Sequence, residues 1–382
     1  MTTNQSPLIA HVVFRFDYGG LENGVANIAN ALHGSEQRHV VIALTEATAF
    51  KSRLKPEIEV FELQKRPGRD WGAYRRLYRL LRRLRPQILH TRNVGTMDCA
   101  FVGFLARVPV RIHGEHGWDV ADPDGTNPKY RWFRRIFDPF VHRYVTVSKH
   151  LANWLQHTVR VRPDKIEPIC NGVDVTRFQA TQPPSRPDGA PAWIGAADVV
   201  VVGSVCRFSE IKHPLNLVNA FIALTKSGGL GANECRLVMA GDGPLHKSAL
   251  ETLTDAGVAD RAWLPGSRDD VPTLLAAMDV FVLGSWREGI SNTILEAMAS
   301  GLPVIATATG GNVELVDPQR NGATVPTGNS GALATAIQRY VVDKTLRTQH
   351  GAASRAMAHG EFSLETMLGS YSALYSTALE GT

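Results

Sequence analysis

The sequence has few of the features that mark secreted, zinc-bound or membrane-spanning proteins. Only four of its 382 residues are cysteines, and no two of them are spaced as C-x-x-C. This scarcity excludes a disulfide-stapled fold and a cysteine-based zinc site, and it suits a reducing compartment. No apolar run approaches the roughly 18 residues that cross a bilayer. The first residues also lack the basic and then apolar segments of a secretory signal, so we expect a cytoplasmic protein.

Charge is distributed unevenly between the two halves. Residues 1–180 contain 27 basic and 17 acidic residues, a net charge of +10, whereas residues 181–382 contain 14 and 19, a net charge of −5. A basic first half attracts anionic partners such as phosphorylated substrates, a membrane surface or nucleic acid. No nucleic-acid recognition module is present, so we expect no nucleic-acid partner.

Short apolar runs alternate with helical patterns along both halves. The runs lie at residues 8–14, 40–44, 58–63, 87–90, 110–113, 144–148, 199–205, 236–240, 262–264, 279–283, 303–306 and 323–325. Several are continuous and rich in Val, Ile and Leu, which is typical of parallel strands covered on both faces. Helical patterns include residues 23–32, 70–84, 214–225, 292–300 and 331–342. This alternation predicts an α/β protein with two doubly wound, Rossmann-like parallel sheets.

A linker separates the two predicted domains. Residues 180–197 are rich in Pro, Ala and Gly, a composition typical of linkers. We therefore expect one domain over residues 1–180 and a second over residues 181–362. Residues 363–382 have a helical pattern whose packing the spacing alone leaves open. Ligands of open α/β sheets bind at the carboxyl ends of the strands, so we expect a cleft lined by loops of both domains.

The most informative motif lies between Glu288 and Glu296. It follows an apolar run, and Ser291 and Asn292 are good helix caps, so Glu288 is predicted in the loop and Glu296 about one turn inside a helix. Free backbone N–H groups at a helix start bind phosphate, while carboxylates accept hydrogen bonds from hydroxyls. The binding residues expected at this helix start are Gly289, Ile290, Ser291, Asn292 and Thr293. The alternative is a charged surface helix with a polar cap.

Two further segments fit a phosphate-containing ligand. Arg207 and Lys212 follow a predicted buried strand, and two cations there would neutralise a departing diphosphate. The alternative is a pair of solvated basic residues. Gly19 and Gly20 follow the first strand, where paired glycines let the backbone approach a phosphate. Many Gly-Gly pairs are only turns, and the G-x-G-x-x-G dinucleotide fingerprint is absent.

A histidine-containing loop follows the strand at residues 110–113. His116 could donate a hydrogen bond to a sugar or relay a proton, or it could be a satisfied structural histidine. His113 and His116 with Glu115 do not have the helical i, i+4 spacing of zinc ligands. The pair Asp122 and Asp124 lies in a turn-rich stretch. We therefore expect no metal.

Two basic segments of the first half also contain aromatic residues. One has Arg75, Arg76, Arg79, Arg82, Arg83 and Arg85 on a helical pattern, and the other has Arg131, Arg134 and Arg135 beside Trp132 and Phe133. Reversible contact with anionic lipid and a solvated helix face whose apolar side packs on its own sheet are both consistent with these patterns.

Taken together, these motifs resemble glycosyltransferase family 4, a retaining family with the two-domain GT-B fold. The resemblance covers nearly the whole chain. The segments that carry it are 288–304, Arg207 with Lys212, 241–244, 171–174 and 19–22. Segments 115–119 and 147–149 are further similar to sugar transferases of exosortase-associated exopolysaccharide systems.

The resemblance implies a role for each of these residues. Glu288 would hold hydroxyls of the donor sugar, Glu296 would hold the ribose, and Arg207 and Lys212 would stabilise the departing nucleoside diphosphate. The glycine pair Gly19 and Gly20 would approach the donor phosphates, and His116 would lie near the transferred sugar. Gly266, Ser267 and Arg268 would flank the base, and the terminal helix would return to the first domain.

Two positions depart from the family pattern. His213 stands where Lys212 is usually followed by glycine, and Cys206 precedes Arg207 where glycine is commoner. Neither change removes a charged group, so activity is expected to survive.

The leading hypothesis is a metal-independent, retaining enzyme that moves a sugar from a UDP- or GDP-linked donor to a sugar or lipid-linked acceptor. It would act in envelope or exopolysaccharide assembly, at the inner face of the cytoplasmic membrane, with no further cofactor. A nucleotide-sugar 2-epimerase of the same fold is the alternative. A non-catalytic sugar-nucleotide binding protein is the third hypothesis.

Overall fold

The computed structural model describes residues 6–34, 36–118, 122, 124–179, 186–229 and 234–381. Residue contacts divide the chain into two compact units, Met1–Asn171 with Met367–Thr382, and Gly172–Thr366. The predicted domain boundary between residues 180 and 181 lies outside the described residues.

In the described part of the first unit, a parallel sheet is flanked by helices. Its strands are β1 (Leu8–Val13), β2 (Arg38–Ala43), β3 (Val60–Glu62), β4 (Ile88–Arg92), β5 (Val110–Glu115), β6 (Arg143–Thr146) and β7 (Ile166–Pro168). Its helices are α1 (Gly20–Leu32), α2 (Trp71–Leu84), α3 (Cys99–Leu105), α4 (Pro128–Phe137) and α5 (Lys149–Trp154). The strand order is β3-β2-β1-β4-β5-β6-β7, and all neighbours are parallel.

The second unit repeats this architecture, and the last helix follows it. Its strands are β8 (Val200–Val205), β9 (Cys235–Ala240), β10 (Ala262–Gly266), β11 (Val280–Leu283), β12 (Val304–Thr307) and β13 (Gly322–Val325). The helices are α6 (Pro214–Lys226), α7 (His246–Asp255), α8 (Val271–Ala276), α9 (Asn292–Ala299), α10 (Asn312–Leu315), α11 (Ser330–Val342), α12 (Lys344–Gly360) and α13 (Leu364–Glu380). The described strands follow the order β10-β9-β8-β11-β12-β13, again all parallel.

These two sheets confirm the predicted fold class. Each apolar run identified in the sequence coincides with a strand, because a strand covered by helices on both faces must be apolar throughout. All six residues of β1, for example, are buried. β7 was missed, since its three residues include a glutamate and a proline at the sheet edge, where proline is tolerated.

Strand order reverses beside the first strand of each sheet. β1 pairs with β2 on one side and β4 on the other, and β8 pairs with β9 and β11. The crevice at the carboxyl ends of the strands on either side of such a switch point is where open α/β sheets bind ligands. Each unit thus has one such edge.

A layer of polar side chains lies inside the first unit. His11 Nε2 is 2.9 Å from His39 Nδ1, and His90 Nδ1 is 2.9 Å from the Tyr375 hydroxyl. All four side chains are completely buried. Tyr375 belongs to α13, so hydrogen bonding as well as apolar packing fixes this helix within the first unit.

None of the described helices is long and apolar enough to cross a membrane.

Candidate functional site

The loops after β8 and β11 meet at the switch point of the second sheet. The two strands are direct neighbours, with Val280 beside Val202 and Phe281 beside Gly203. Residues 206–213 leave the carboxyl end of β8, and residues 284–291 leave that of β11. The fold therefore brings the segments of Arg207, Lys212 and Glu288 to the edge where a ligand is expected.

Lys212 and Glu288 form an ion pair at this edge. Lys212 Nζ lies 2.6 Å from Glu288 Oε1 and 2.8 Å from Oε2. The side chains are 29% and 5% exposed, respectively. Ser285 Oγ donates a further hydrogen bond of 2.7 Å to Glu288 Oε1. Charge-assisted bonds in a partly buried site are strong, and removing one partner leaves the other charge uncompensated.

The segment after β12 holds the backbone of the Glu288 loop. A Cβ atom at Gly310 would lie 1.7 Å from the backbone oxygen of Glu288, and φ at Gly310 is +52°. Glycine alone satisfies both conditions without strain. The Gly311 N–H also donates to the Gly289 carbonyl over 2.9 Å. The Glu288 carboxylate is therefore positioned by two loops.

Three residues of this arrangement were not predicted from the sequence. They are Ser285, Thr307, whose hydroxyl donates to the Ser285 carbonyl over 2.6 Å, and Gly310. The one signal in the sequence was the pair Gly310–Gly311, which follows a predicted strand and therefore lies at the same edge of the sheet. Nothing in the residue pattern showed that the pair packs against Glu288.

The start of α9 presents a helix N-terminus to the same loop. Ser291 is the N-cap, and its Oγ accepts a 3.3 Å hydrogen bond from a first-turn N–H, as predicted. Asn292 and Thr293 are partly exposed in this turn, Gly289 is partly exposed before it, and Ile290 is buried. The partial positive charge of a helix N-terminus favours an anion.

Glu296 lies one turn inside α9 and is half-buried. Burial raises the pKa of its carboxyl group to about 7, while the charge of Arg177 acts in the opposite direction. Near neutral pH this carboxyl group is therefore divided between its neutral and ionised forms. Strongly shifted carboxyl groups at a sheet edge are candidates for a functional role.

Arg207 is held by its backbone, and its side chain is exposed. A Cβ atom at Gly241 would lie 1.9 Å from the Cys206 carbonyl oxygen, and one at Gly243 would lie 2.5 Å from the Phe208 carbonyl oxygen. The glycines of the 241–244 motif thus allow close contact with the Arg207 segment. Among the described residues, Arg207 forms no ion pair.

Gly266, Ser267 and Arg268 lie farther along the sheet. Gly266 ends β10, which is separated from β8 by β9. Arg268 donates to Asp270 over 2.8 Å and 2.7 Å, so an internal carboxylate already neutralises its charge. Ser267 is exposed. The position of these three residues beside the nucleotide base stays a prediction.

Gly19 and Gly20 begin α1 at the corresponding edge of the first unit. Gly19 is the N-cap in an extended conformation, and a Cβ atom there would lie 2.2 Å from Glu22 Oε2. Burial raises the pKa of the Glu22 carboxyl group. An acidic side chain that is hydrogen-bonded to its own backbone therefore crowds this helix start.

His116 follows β5 in the first unit. Its backbone N–H donates to Asn93 Oδ1 over 2.8 Å. Burial, together with the charge of Arg92, lowers the pKa of the imidazole to about 3. Nε2 is buried and forms no hydrogen bond within the described structure. His116 is therefore neutral at pH 7 and can offer hydrogen bonds but no positive charge.

Arg134 is buried, although both interpretations of its basic segment place the arginines at the surface. Its guanidinium donates to Glu115 Oε1 over 2.6 Å and to Oε2 over 3.1 Å. Arg134 is 3% exposed and its guanidinium lies 4.8 Å from the ring centroid of Trp154. Burial by itself would raise the pKa of the Glu115 carboxyl group, but interactions with Arg134 and His113 together outweigh burial and lower this pKa to about 2. The sequence could not show this pairing because it depends on how α4 packs beside β5.

The other basic residues of α2 and α4 remain at the surface. Arg75, Arg76, Arg79, Arg82, Arg83 and Arg85 are exposed, as are Trp132 and Arg135, while Arg131 is partly exposed. The opposite side of α2 is buried through Leu77, Leu80 and Leu81. The apolar side of α2 therefore packs inside the first unit, as the solvated-face interpretation predicts. This packing leaves the exposed basic side available for contact with anionic lipid.

Two residues of the predicted motifs, Asp119 and Pro123, lie outside the described residues. Within the described part of the chain, no group of three or more His, Cys, Asp or Glu side chains is arranged to hold a metal ion.

Two family models match adjacent parts of the chain. Residues 18–177 match Glycosyltransferase Family 4, and residues 171–343 match Glycosyl transferases group 1. Together they span residues 18–343, which include most of both units.

Curated relatives are similar over part or most of the chain. Over 175 residues the chain is 34% identical to the lipopolysaccharide core biosynthesis glycosyltransferase LpsE of Rhizobium meliloti, covering 46% of this chain and 49% of the relative. It thus spans about half the length of that relative. Over 283 residues it is 28% identical to the UDP-Gal:alpha-D-GlcNAc-diphosphoundecaprenol alpha-1,3-galactosyltransferase of Escherichia coli, covering 73% of this chain and 72% of the relative.

Solved structures share the fold across the whole chain. The Anabaena protein HepE, solved in complex with UDP, has a TM-score of 0.80 at 22% identity and covers 97% of this chain and 100% of that one. A glycosyltransferase from Rickettsia africae has a TM-score of 0.82 at 20% identity, covering 99% and 100%. At such identities the likeness establishes the two-domain GT-B architecture.

Proposed function

This chain belongs to glycosyltransferase family 4, and from that membership we propose that it transfers a sugar from a nucleotide-diphosphate-sugar to an acceptor. The observation that carries the proposal is the Lys212–Glu288 ion pair at the switch point of the second sheet. It combines a cation suited to a diphosphate with a carboxylate suited to sugar hydroxyls. The relatives named for lipopolysaccharide core synthesis and for a diphosphoundecaprenol-linked substrate support a role in cell-envelope assembly. Membership of the exosortase-associated subgroup stays a prediction.

Donor binding would exchange the partners of this ion pair. A diphosphate at the edge of β8 and β11 competes with Glu288 for the Lys212 ammonium, and the exposed Arg207 adds a second cation. Glu288 would then accept hydrogen bonds from the sugar, still oriented by the Ser285 hydroxyl. Cations already in place where negative charge develops on the leaving diphosphate lower the barrier to transfer.

The nucleoside would lie along α9. The N–H groups at the start of α9 favour the anionic diphosphate. One turn farther along the helix, Glu296 offers a carboxyl group for the ribose hydroxyls. Roles of His116, Gly19 and Gly20 toward the same donor stay predictions. We propose UDP or GDP as the donor nucleotide, since relatives are named for UDP-galactose and for GDP-mannose.

Transfer is proposed to retain the configuration of the sugar without a metal. The bond between the anomeric carbon and the phosphate oxygen breaks, the acceptor oxygen bonds to the same face, and its proton passes to the leaving phosphate oxygen. The sequence offers no clear carboxylate nucleophile for a double displacement through an enzyme-bound sugar. Glu288→Gln should abolish transfer, because the donor sugar loses its positioning carboxylate. Wild-type protein incubated with donor should form no covalent adduct with the sugar. A sugar-protein adduct detected by mass spectrometry would refute same-face attack.

A thermal-shift panel tests the proposed donor first. The wild type and Glu296→Ala are melted with saturating UDP, GDP, ADP and their sugar conjugates, because a ligand of the folded state raises the melting temperature. If one nucleotide raises the melting temperature of the wild type but not that of Glu296→Ala, the result supports the proposed donor site. Absence of any shift, with and without lipid vesicles, counts against it. Donor epimerised without acceptor would instead establish the isomerase alternative, which the names of the relatives do not support.

We also propose that the exposed side of α2 contacts anionic lipid. Trp71 is 76% exposed and Tyr78 39% exposed, and Arg75, Arg79 and Arg82 share their helix surface. A basic-aromatic helix face of this kind binds membrane interfaces. Co-sedimentation should be stronger with anionic than with zwitterionic vesicles and should weaken when the three arginines become glutamine. Arg339→Gln on α11, also exposed, is the control, and equal binding to both vesicle types would contradict the contact.

A further inference from the structure

His213 has a backbone conformation that its sequence disfavours. It follows Lys212 and precedes Pro214, and its φ and ψ are +47° and +54°. Left-handed conformations are costly for residues with a Cβ atom. A following proline disfavours helical conformations further. The strained residue directly follows Lys212, so neighbouring contacts must hold the turn in this shape.

The neighbour that does so is Trp286. The rings of His213 and Trp286 are stacked, with centroids 4.5 Å apart and an interplanar angle of 14°. The indole also contacts the segment after β13, because a Cβ atom at Gly328 would lie 2.3 Å from it. Aromatic stacking at this separation is favourable, so the indole supports the strained turn from the β11 side.

Hydrogen bonds hold the backbone of Trp286 to the loop after β8 and to the segment after β12. The Trp286 N–H donates to the Ile211 carbonyl over 2.9 Å, and the Thr309 hydroxyl donates to the Trp286 carbonyl over 3.1 Å. The residue before His213 is Lys212, and the residue two after Trp286 is Glu288. The stack and the ion pair therefore bridge the same two loops.

We infer that the His213–Trp286 stack is a positioning device for the proposed transfer reaction: it holds the Lys212 ammonium at Glu288 before donor binds. This inference rests on the proposed function, since positioning matters only if Lys212 acts on the leaving diphosphate. Without the stack the turn relaxes from its strained conformation, and Lys212 loses its fixed orientation. Misplacement of a group that acts in the transition state lowers kcat more than it raises KM.

Acylation of lysines followed by mass spectrometry measures the position of Lys212 without any substrate. An amine engaged by a carboxylate is shielded from the reagent, whereas the exposed Lys226 at the end of α6 is an internal reference. The variants are Trp286→Ala and His213→Asn, which remove the stack. Asparagine tolerates the left-handed conformation, so His213→Asn should keep its melting temperature. Trp286→Phe retains a stacking ring and is the conservative control.

Acylation of Lys212 relative to Lys226 should rise several-fold in Trp286→Ala and His213→Asn and stay near the wild-type value in Trp286→Phe. With a UDP- or GDP-sugar that the wild type uses, kcat should fall by roughly tenfold to a hundredfold in the first two variants. Unchanged Lys212 acylation in a folded His213→Asn variant would overturn the inference. So would an equal rise in all three variants, because the ring stack would then not be the cause.

Failure of the proposed function gives a different result. If the wild type neither binds nor turns over any nucleotide sugar, the transferase proposal fails, whereas the acylation pattern still shows whether the stack positions Lys212. If acylation rises as expected in variants whose kcat is unchanged, the stack orders the loop but does not serve the reaction, and the inference is overturned while the transferase proposal stands.

Discussion

The Tyr375 hydroxyl lies 2.9 Å from Nδ1 of His90, although 285 positions separate the two residues in the sequence. His90 is in β4 and Tyr375 in α13, and both are completely buried. One hydrogen bond thus joins the end of the chain to the sheet of the first unit.

Tyr375→Phe should lower the free energy of unfolding of the first unit by about 1 kcal/mol, because it removes a buried hydrogen bond. The effect is limited because Arg92 Nη2 lies 3.4 Å from the same ring nitrogen and remains as a partner. Urea denaturation followed by circular dichroism measures the change. Tyr78→Phe, at an exposed tyrosine of α2, should have almost no effect. Equal stability of Tyr375→Phe and the wild type would mean that packing alone holds α13.

Acidification should destabilise the first unit. Burial, with the charges of His33 and Arg92, lowers the pKa of His39 to about 3. The pKa values of His11 and His90 are also far below the usual range, chiefly through burial. The unfolded chain titrates near pH 6.5, so below that pH it binds more protons than the native state. Stability is therefore full above about pH 6.5 and falls as the pH decreases toward about 3.

The expected slope is about 1.4 kcal/mol per pH unit for each such histidine. Urea midpoints measured from about pH 7.5 to about pH 5 test this linkage. His39→Gln should flatten the pH dependence, whereas His157→Gln, at an exposed histidine of the same unit, should not. A midpoint independent of pH over that range would show that these histidines are not buried in their neutral form.

Gly310→Ala should disrupt the Glu288 loop. The added Cβ atom would lie 1.7 Å from the Glu288 carbonyl oxygen, at a φ of +52°, so the loop must move and the backbone is strained. We expect a loss of about 1–3 kcal/mol in stability and loss of the nucleotide-induced thermal shift. Gly331→Ala is the matched control, because the nearest atom to its Cβ would be 3.5 Å away. An unchanged thermal shift in Gly310→Ala would contradict the assigned position of Glu288.

Nucleotide affinity should depend on pH through Glu296. The pKa of about 7 means that its ionised form accumulates as the pH rises from about 6 to about 8. A charged acceptor forms stronger hydrogen bonds with ribose hydroxyls than a neutral one, so affinity for UDP or GDP should increase over this range. Calorimetric titrations should show this increase in the wild type and not in Glu296→Gln. The same pH dependence in both proteins would assign it to another group.

Much of the fold could be predicted because its strands and helix starts are determined by residues that are neighbours in the sequence. Strands buried on both faces must be apolar along their length, and a helix start needs a capping side chain such as Ser291. The Glu288 loop was predictable for the same reason, since it lies between a recognisable strand and a recognisable cap. Lys212 was predicted, together with Arg207, as a cation in the loop between a strand and a helix.

The sequence by itself determined the two parallel sheets, the loop–helix unit from Glu288 to Glu296 and the excess positive charge of the first unit, because neighbours along the chain determine these features. Only the tertiary structure decided which charges are partnered. Arg134, one of several similar arginines, is buried against Glu115, and Lys212 is bound to Glu288 rather than to solvent. It also decided that His213, in a strained turn, stacks on Trp286. The physical reason is that burial and Coulomb energy depend on distances between segments far apart in sequence, which arise only when parallel strands align their loops at one edge.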